Sequence, residues 1–350
     1  MRDVAVVGFA QRQMKEFDGS PTCVELLVPV FRECYEQTGF TRKDIGFWCS
    51  GSSDYLAGRS FSFVSAVDAI GALPPVNESH VEMDAAWALY EAWLKIQTGE
   101  VDTALVYGFG KASAGVLRRT LALQLDPYTM TPLWPDTVSL AGLQARLGMD
   151  EGRWDEAAMA SVVARSMADA EDNPDAVRKG ARSVEELLSA PMYADPLRKH
   201  DCAPVTDGAA AIVLAAGDRA REACERPAWI TGLAHHVDPL HLGSRPLTTS
   251  PSASRAASAA GVDGVEVTEL HAPFSHHELV LRDALRLGPD VRVNPSGGAL
   301  AANPMFTAGL SRIGEAARRI LQGDADRTLG HATSGPLLQQ NLVCTMGATT

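Results

Sequence analysis

The sequence predicts an α/β protein built from two similar halves in one chain. Short apolar runs, typical of buried strands, alternate with segments of helical spacing over residues 4–110. A second series of such strands and helices over residues 228–345 repeats the first. Because strands that alternate with helices usually pair side by side, we expect a mostly parallel sheet. Residues 111–200 contain helix-forming runs and few strand-like segments, so we interpret them as an inserted helical region.

The elements of the first half can be placed in order along the chain. The best-defined helix covers residues 85–98, because Asp84 precedes it as an N-cap and Gly99 follows it as a C-cap. A helix at 24–38 ends in the same way at Gly39. The apolar runs predict strands at 4–7, 45–49, 80–83, 101–107 and 209–216, and helical spacing predicts a further helix at 64–70.

The insertion and the second half are interpreted by the same patterns. In the insertion, helical spacing predicts helices at 157–170 and 184–188. The second half is predicted to contain strands at 228–234, 265–271, 328–332 and 338–345, and helices at 252–260, 276–287 and 304–321. These elements make the second half a shorter version of the first, without an insertion.

The charge balance restricts the class of function. The 350 residues carry 31 Lys and Arg against 43 Asp and Glu, a formal net charge of −12. Such an acidic chain argues against nucleic-acid binding, which needs a basic face for the phosphates. The chain has no run of 18 apolar residues, which predicts no membrane span. Its first residues lack the features of a secretory signal, so we expect a cytoplasmic protein.

The cysteines are scattered along the chain. None forms a close pair with metal-ligand spacing: Cys23, Cys34, Cys49, Cys202, Cys224 and Cys344. This pattern favours neither a disulfide framework nor a zinc site. We therefore expect no bound metal.

Several segments, in one order, resemble the motifs of thiolases. The run from Cys202 to Ala211 is similar to their Cys-x-x-x-Ser/Thr-Asp-Gly-Ala-Ala-Ala strand. His271-Ala272-Pro273-Phe274 resembles the His-Asp-Cys-Phe segment of sterol-carrier-protein-type thiolases, and Asn294-Pro295-Ser296-Gly297-Gly298 resembles their Asn-Pro-Ser-Gly-Gly turn. Asn303-Pro304 stands where the family has Gly-His-Pro, and His331 stands where its last loop has a His-Asn pair.

The chain thus resembles the thiolase superfamily over residues 1–347, and in particular its lipid-transfer-protein-like branch. The resemblance implies the thiolase fold, in which two pseudo-repeated βαβαβαββ halves form a five-layer αβαβα sandwich with a helical loop-domain insertion. It divides the chain into an N-terminal half, 1–225, with the loop region at about 111–200, and a C-terminal half, 226–350. It also implies a homo- or heterodimer, and a coenzyme A thioester as substrate with no separate cofactor.

Three positions depart from the family. The resemblance places Ala85 at the nucleophilic cysteine, Pro273 at the cysteine of His-Asp-Cys-Phe and Asn303 at the histidine of Gly-His-Pro. Claisen chemistry needs a thiolate and acid/base groups, which alanine, proline and asparagine cannot supply. Covalent thiolase chemistry is therefore not expected. The alternative is that one segment is misaligned, with Cys49 and Cys344 as the nearest other thiols.

The resemblance still implies an oxyanion hole for a thioester. His271 is expected to bind the thioester oxygen through a water molecule, or else to be a structural histidine that ends an apolar strand. Backbone N–H groups at Ala85, at the start of a helix, are expected to form a second hole. Gly297 and Gly298 are expected in a tight turn under the site, and Pro273 beside it in the cleft.

Other candidates have two interpretations each. Asn303 could donate a hydrogen bond to the substrate or only start a helix before Pro304. His331 could be an active-site group or hold its loop in place, since imidazole titrates near neutrality and suits either proton role. Asp84 could be a helix cap or a base. His276 is a candidate acid/base group, although we expect His276 and His277 to form an exposed pair at a helix start.

Further residues are candidates on weaker grounds. Phenols on loops could supply the acid/base group of the reaction, although we expect each to be a packing residue: Tyr55, Tyr128 and Tyr193. The Met and Trp residues of 128–160 could form a lid over an apolar acyl group or the core of the inserted region.

Three hypotheses of function follow from the resemblance. The first is a carbon–carbon lyase that cleaves a bulky β-hydroxyacyl-CoA, such as a steroid side-chain ester, by a retro-aldol reaction with a small OB-fold and zinc-ribbon partner. The second is a non-catalytic subunit of a heteromeric thiolase-like complex. The third is a lipid or acyl-CoA carrier. Whether the chain is an enzyme stays open here, because assignment as an acyltransferase fits the fold but not the absent cysteine.

Overall fold

The computed structural model describes residues 2–14, 21–57, 60–71 and 76–350. Within these residues, the strands are β1 Val4–Met14, β2 Phe47–Gly51, β3 Glu78–Val81, β4 Thr103–Lys111, β5 Met192–Ala194, β6 Leu197–Arg198, β7 Asp207–Ala216, β8 Ala228–Val237, β9 Val267–Leu270, β10 Arg292–Val293, β11 Arg327–Ser334 and β12 Gln340–Gly347.

The helices occupy the segments between the strands. They are α1 Cys23–Thr38, α2 Asp54–Ala57, α3 Ser62–Val67, α4 Ala85–Gln97, α5 Leu117–Ala122, α6 Thr137–Asp150, α7 Glu156–Asp169, α8 Val184–Ser189, α9 Gly217–Ala223, α10 Pro251–Ala260, α11 Ser275–Ala284, α12 Gly298–Ala301 and α13 Ala308–Leu321. The predicted helix at 304–321 thus begins four residues later than expected, because Met305 to Thr307 form a turn before it.

Ten of the described strands form two half-sheets joined in the order β10-β9-β11-β12-β8-β1-β7-β4-β2-β3, and β5 and β6 pair in a separate two-stranded sheet. The halves meet between β1 and β8 through only two residue pairs, Ala5 with Trp229 and Val6 with Ala228. The expectation of a mostly parallel sheet is wrong, because the last strands of each half return antiparallel. Strand β7 pairs antiparallel with β1 and β4, and β12 pairs antiparallel with β8 and β11.

The helices form three layers around the two half-sheets. Helices α4 and α13 lie in the middle, where one apolar cluster contains residues of both helices and of strands from both halves. A second cluster packs α1 against the outer face of the first half, and a third packs α10 and α11 against the outer face of the second. This arrangement is the five-layer αβαβα sandwich of the thiolase fold.

Local sequence explains the ends of the longer helices. Thr22 and Glu25 form a reciprocal capping box at the start of α1, and Gly39 ends that helix in the left-handed conformation. The inserted region is helical as predicted, with α5 to α8 between β4 and β5. No described helix is both long and apolar enough to cross a lipid bilayer.

Candidate active site

The site is centred on a hydrogen bond between His271 and Asn303. His271 immediately follows β9, and Asn303 lies in the loop between α12 and α13. The Nε2 atom of His271 lies 3.0 Å from Oδ1 of Asn303, and the backbone N–H of Thr333 donates to Nδ1 over 3.4 Å. Because Nδ1 accepts, Nε2 carries the proton and donates to Asn303. The Asn303 amide therefore has its Nδ2 donor left for a ligand.

His271 is neutral in this environment. Only 8% of its surface is exposed. Burial lowers the pKa of His271 to about 3, and the neighbouring His331 and Arg312 lower it further than its hydrogen bonds raise it. A neutral imidazole with a fixed proton orients Asn303 and is a weak base. The arrangement thus suits the binding of a developing negative charge better than proton abstraction by His271.

The loop that carries Asn303 is held by backbone contacts on both sides. The N–H of Asn303 donates to Oγ of the buried Thr206 over 2.9 Å, and Pro304 pairs with Thr206 in a short parallel bridge. Gly110 of β4 lets the loop approach, because a Cβ there would lie 2.0 Å from the carbonyl oxygen of Met305. The loop therefore lies across the carboxyl end of β4 and the start of β7.

Asp84 is a buried cap shared by two helices. Its carboxylate accepts hydrogen bonds from the N–H groups of Ala86 in α4 and of Gly309 and Leu310 in α13, over 2.9 to 3.0 Å. Burial raises the pKa of Asp84, and the three N–H donors oppose that shift. Because both carboxylate oxygens are occupied and only 3% of the residue is exposed, its geometry is that of the cap rather than the base.

The expected second oxyanion hole at Ala85 is not formed. The N–H of Ala85 donates to the carbonyl oxygen of Phe306 over 2.9 Å, and the next N–H, of Ala86, donates to Asp84. The helix start is therefore satisfied by the protein itself. Gly51 and Gly108 let the start of α4 pack closely on β2 and β4, because a Cβ at either glycine would collide with Ala85.

The expectation that His276 and His277 are exposed is wrong. Both lie buried in the first turn of α11, with 0% and 2% exposure. Their Nε2 atoms lie 3.0 and 2.8 Å from Oε1 of Gln144, and Nε2 of Gln144 donates to the carbonyl of Leu247. Burial lowers the pKa of His276 to about 3. The pair therefore attaches α6 of the insertion to the second half, and His276 is placed in the protein interior.

His331 lies within β11 and not in a loop. It is completely buried, and its Nε2 atom lies 2.9 Å from Oδ1 of Asn341. The Nδ2 of Asn341 donates to Ser250, Ser252 and the carbonyl of Leu338, so Oδ1 is the acceptor and His331 the donor. Burial lowers the pKa of His331 to about 4. Its contact with the site is through the backbone, since its carbonyl accepts the N–H of His271.

The remaining predicted residues frame the site. Gly297 and Gly298 are buried in a turn with positive φ, and a Cβ at Gly297 would lie 2.6 Å from that of Ala170 in the insertion. They support the turn and do not face open space. Pro273 is half-buried, and its carbonyl accepts the N–H of Ala203, which joins this segment to the start of the β7 motif.

The tyrosines and the insertion lie in different environments. Tyr128 and Tyr193 are exposed, and Tyr193 contacts Arg118. The side chain of Tyr55 lies outside the described residues. In the insertion, Trp154 and Met159 are buried, as expected of a core, while Trp134 is 47% exposed. Among these described residues, Trp154 and Met159 thus belong to the core, and Tyr128, Tyr193 and Trp134 lie at the surface.

Several residues that build the site are not among those predicted from the sequence. Thr206 lies inside the recognised Thr-Asp-Gly motif, so its position was available as a signal. Thr333 acts through its backbone N–H, which no residue type reveals. Gln144 is 132 residues from His276 in the sequence, so no local pattern indicated their contact. Glu269 and Arg312 form a buried ion pair, with Arg312 also donating to Ser296. This network fixes the turn beneath His271.

Three buried thiols are poorly suited to replace the missing nucleophile. Burial raises the pKa of Cys202 and of Cys344 to about 12, and it raises that of Cys49 as well. Cys202 lies in a bridge with Phe274, and Cys49 lies inside β2.

The described residues contain no group of His, Cys, Asp and Glu side chains arranged as a metal site.

Relatives with assigned names are similar over most of the chain. No family model matches the chain. It is 25% identical over 362 residues to an acetyl-CoA acetyltransferase of Methanothermobacter thermautotrophicus, covering 93% of each protein. It is 28% identical over 352 residues to that of Methanocaldococcus jannaschii, covering 90% of this chain and 89% of that protein. It is 23% identical over 317 residues to sterol carrier protein 2 of Gallus gallus, covering 77% of this chain and 56% of that protein.

Two solved structures share the fold over nearly the whole chain. The Ltp2-ChsH2(DUF35) aldolase has a TM-score of 0.80 and 17% sequence identity, over 99% of this chain and 98% of that chain. Human mitochondrial 3-ketoacyl-CoA thiolase has a TM-score of 0.78 and 16% identity, over 100% and 99%. Both likenesses concern the fold.

The fold and the relatives together define an acyl-CoA-related, thiolase-like protein. The relatives support membership of the thiolase superfamily. The two solved structures share its fold.

Proposed function

We propose that this protein is a carbon–carbon lyase that cleaves a bulky β-hydroxyacyl-CoA by a retro-aldol reaction in the cytoplasm. The supporting observation is the hydrogen bond between His271 and Asn303. Because the neutral His271 donates to Oδ1 of Asn303, the Nδ2 donor of Asn303 is left for the substrate. Such a donor stabilises the enolate of a thioester without a covalent intermediate. The raised pKa values of the buried thiols agree with chemistry that needs no thiolate.

The proposed reaction is balanced without a cofactor. A base takes the proton of the β-hydroxyl group, the β-oxygen becomes a ketone, and the Cα–Cβ bond breaks. The electron pair of that bond passes to Cα and forms the thioester enolate, whose oxygen accepts a hydrogen bond from Nδ2 of Asn303. Protonation of Cα then releases a shortened acyl-CoA. A steroid side-chain ester and an OB-fold and zinc-ribbon partner are the substrate and partner that we propose, and the two-component name of the Ltp2-ChsH2(DUF35) aldolase supports the partner.

Replacing Asn303 by Asp should abolish the lyase activity. Aspartate keeps the size of the side chain but replaces the donor with a negative oxygen, which repels the enolate. We expect kcat to fall at least 100-fold, the range observed when one oxyanion donor is lost, with a smaller change in KM. The measurement is the release of ketone and shortened acyl-CoA from a β-hydroxy steroid-CoA with the partner present.

A matched amide provides the control for that experiment. Asn77 donates to the carbonyl of Gly46 on the far side of the first half, so Asn77→Asp should leave kcat within twofold of the wild type. Equal loss of activity in both variants, or full activity in Asn303→Asp, would contradict the proposed role of Asn303. Absence of product from any such substrate would contradict the lyase itself.

Thiolase activity should be undetectable. Alanine stands at residue 85, and burial holds the thiols of Cys49, Cys202 and Cys344 protonated, so these three thiols are poor acceptors of an acyl group. We expect no CoA-dependent cleavage of acetoacetyl-CoA above the uncatalysed rate. Cleavage that iodoacetamide inhibits would show that a cysteine does stand at the site.

A non-catalytic subunit is the second candidate function. The three substituted positions agree with it as well, because a subunit that completes an interface needs no nucleophile. On this alternative the His271→Ala variant of the purified complex would keep full activity, whereas the lyase proposal expects a loss. Transport of a lipid or acyl-CoA is the third candidate, and it predicts tight binding of a CoA thioester without turnover.

A further inference from the structure

A cavity that no part of the proposed mechanism uses lies next to the Asn303 loop. Its volume is about 340 Å³, and its lining residues include Cys23, Leu56, Phe109, Lys111, Ala114 and Phe306. It lies at the carboxyl ends of β2 and β4, where parallel strands of α/β proteins usually bind ligands. The lining is mainly apolar, with hydroxyl groups and one amine at a few positions, as in small-molecule pockets.

Phe306 connects this cavity to the thioester site. Its carbonyl oxygen accepts the N–H of Ala85 on the side of the central helices, and Phe306 is also one of the residues that line the cavity. Asn303 lies three residues before it in the same loop. Gly110 belongs to the cavity lining and also approaches the loop at Met305. The cavity therefore begins where the loop crosses the end of β4.

The backbone of Phe306 is in an uncommon conformation. Its φ is 68°, a region that a bulky side chain rarely adopts, and such outliers cluster at ligand-binding sites. Glycine would fit this backbone without strain. Phe306 lies between the cavity and the thioester site at Asn303. A role in shaping the cavity explains why a bulky residue occupies a position with an unfavourable backbone conformation.

We propose that this cavity binds the apolar end of the substrate's acyl group, with Phe306 as the wall that sets its shape. This inference rests on the proposed function, because it assumes an acyl-CoA substrate at Asn303. A volume of about 340 Å³ is at the lower end of the range for small-molecule pockets, so the cavity holds the end of a bulky acyl group, a part about as large as an alkyl chain of medium length. Short acyl groups would leave the cavity unfilled.

Direct binding of CoA thioesters tests the inference without turnover. Isothermal titration calorimetry with butanoyl-CoA and octanoyl-CoA gives the ratio of their Kd values. Each buried methylene tightens binding about fourfold, and the two acyl groups differ by four methylenes, so we expect a ratio of about 250 for the wild type. Ala114→Trp places an indole in the cavity from an exposed position, and we expect it to reduce the ratio to about 10 or less.

Two further variants make the result decisive. Ala157→Trp carries the same change at an exposed position on α7, outside the cavity lining, and should keep the wild-type ratio. Phe306→Gly removes the wall without straining the loop and should lower the ratio at least fivefold. Melting temperatures confirm that each variant is folded.

The outcomes separate the two proposals. If both thioesters bind but the ratio is the same in wild type, Ala114→Trp and Phe306→Gly, the cavity is not the acyl site, while the lyase proposal stands. If neither thioester binds the wild type with measurable affinity, both proposals are overturned. A ratio that changes in Ala114→Trp and not in Ala157→Trp supports the cavity as the acyl site.

Discussion

Lowering the pH from 7 to 5 should destabilise the folded protein by about 5 kcal/mol. Four histidines are fully or almost fully buried, and burial lowers the pKa of each: His271, His276, His277 and His331. In the unfolded chain these groups take up protons below about pH 6.5. In the folded protein His271, His276 and His331 stay neutral to about pH 4 or below, and burial keeps His277 neutral well below its ordinary pKa. The unfolded state thus binds more protons in this window, and stability falls as the pH falls.

Two fully buried carboxyl groups act in the opposite direction. Burial raises the pKa values of Asp84 and Glu269, so the folded state binds their protons at a higher pH than the unfolded state does. Each histidine contributes about 1.4 kcal/mol per pH unit, and the four outnumber the two carboxyl groups. The net result is the loss given above, measured as the free energy of unfolding by urea at pH 7, 6 and 5.

Single histidine variants assign this pH dependence. His276→Gln keeps a polar side chain of similar length and removes one titrating group. The number of protons taken up on unfolding, given by the slope of the unfolding free energy against pH, should therefore decrease by about one. His241→Gln, at an exposed position, is the control and should leave the slope as in the wild type. Equal stability of the wild type at pH 7 and pH 5 would contradict the neutral state of the buried histidines.

Replacing Asp84 by Ala should destabilise the protein by about 4 kcal/mol at pH 7. The substitution leaves the N–H groups of Ala86, Gly309 and Leu310 buried without an acceptor, and each such group costs about 1 to 3 kcal/mol. It also removes a negative charge from the starts of two helices, where it is favourable. The free energy of unfolding by urea measures the effect.

Asp155→Ala is the matched control for this prediction. Asp155 caps α7 from an exposed position and accepts a hydrogen bond only from Ala158, so its loss should cost about 1 kcal/mol. Asp84→Asn should fall between the two, because one of its atoms still accepts while its amide faces an N–H group. A loss for Asp84→Ala no larger than that for Asp155→Ala would contradict the shared cap.

Periodicity and capping predicted most of the fold. The helices α1, α4 and α7 and the strands β4, β7 and β12 lie within a few residues of their predicted positions, because each has an apolar pattern, a cap or both. The antiparallel returns were not predicted, since a run of apolar residues carries no information on the direction of its neighbour. Direction followed only from the resemblance to a known fold.

The site was predictable where chemistry resides in a motif and not where it depends on packing. The pairing of His271 with Asn303 agrees with their placement in two motifs of one family. The burial of His276 and His277 could not be foreseen, because it depends on Gln144 from a helix in the insertion. The occupied N–H of Ala85 likewise depends on Phe306, whose backbone conformation has no signature in the sequence.

The shared cap at Asp84 has a consequence for the order in which the chain folds. The carboxylate of Asp84 lies 225 residues from Gly309, so the start of α13 acquires its acceptor only after nearly the whole polypeptide exists. Contacts of such long sequence separation are slow to form, because a long loop must close before they contribute. The central layer is therefore completed late, and a nascent chain that ends before residue 309 leaves Asp84 without two of its three donors.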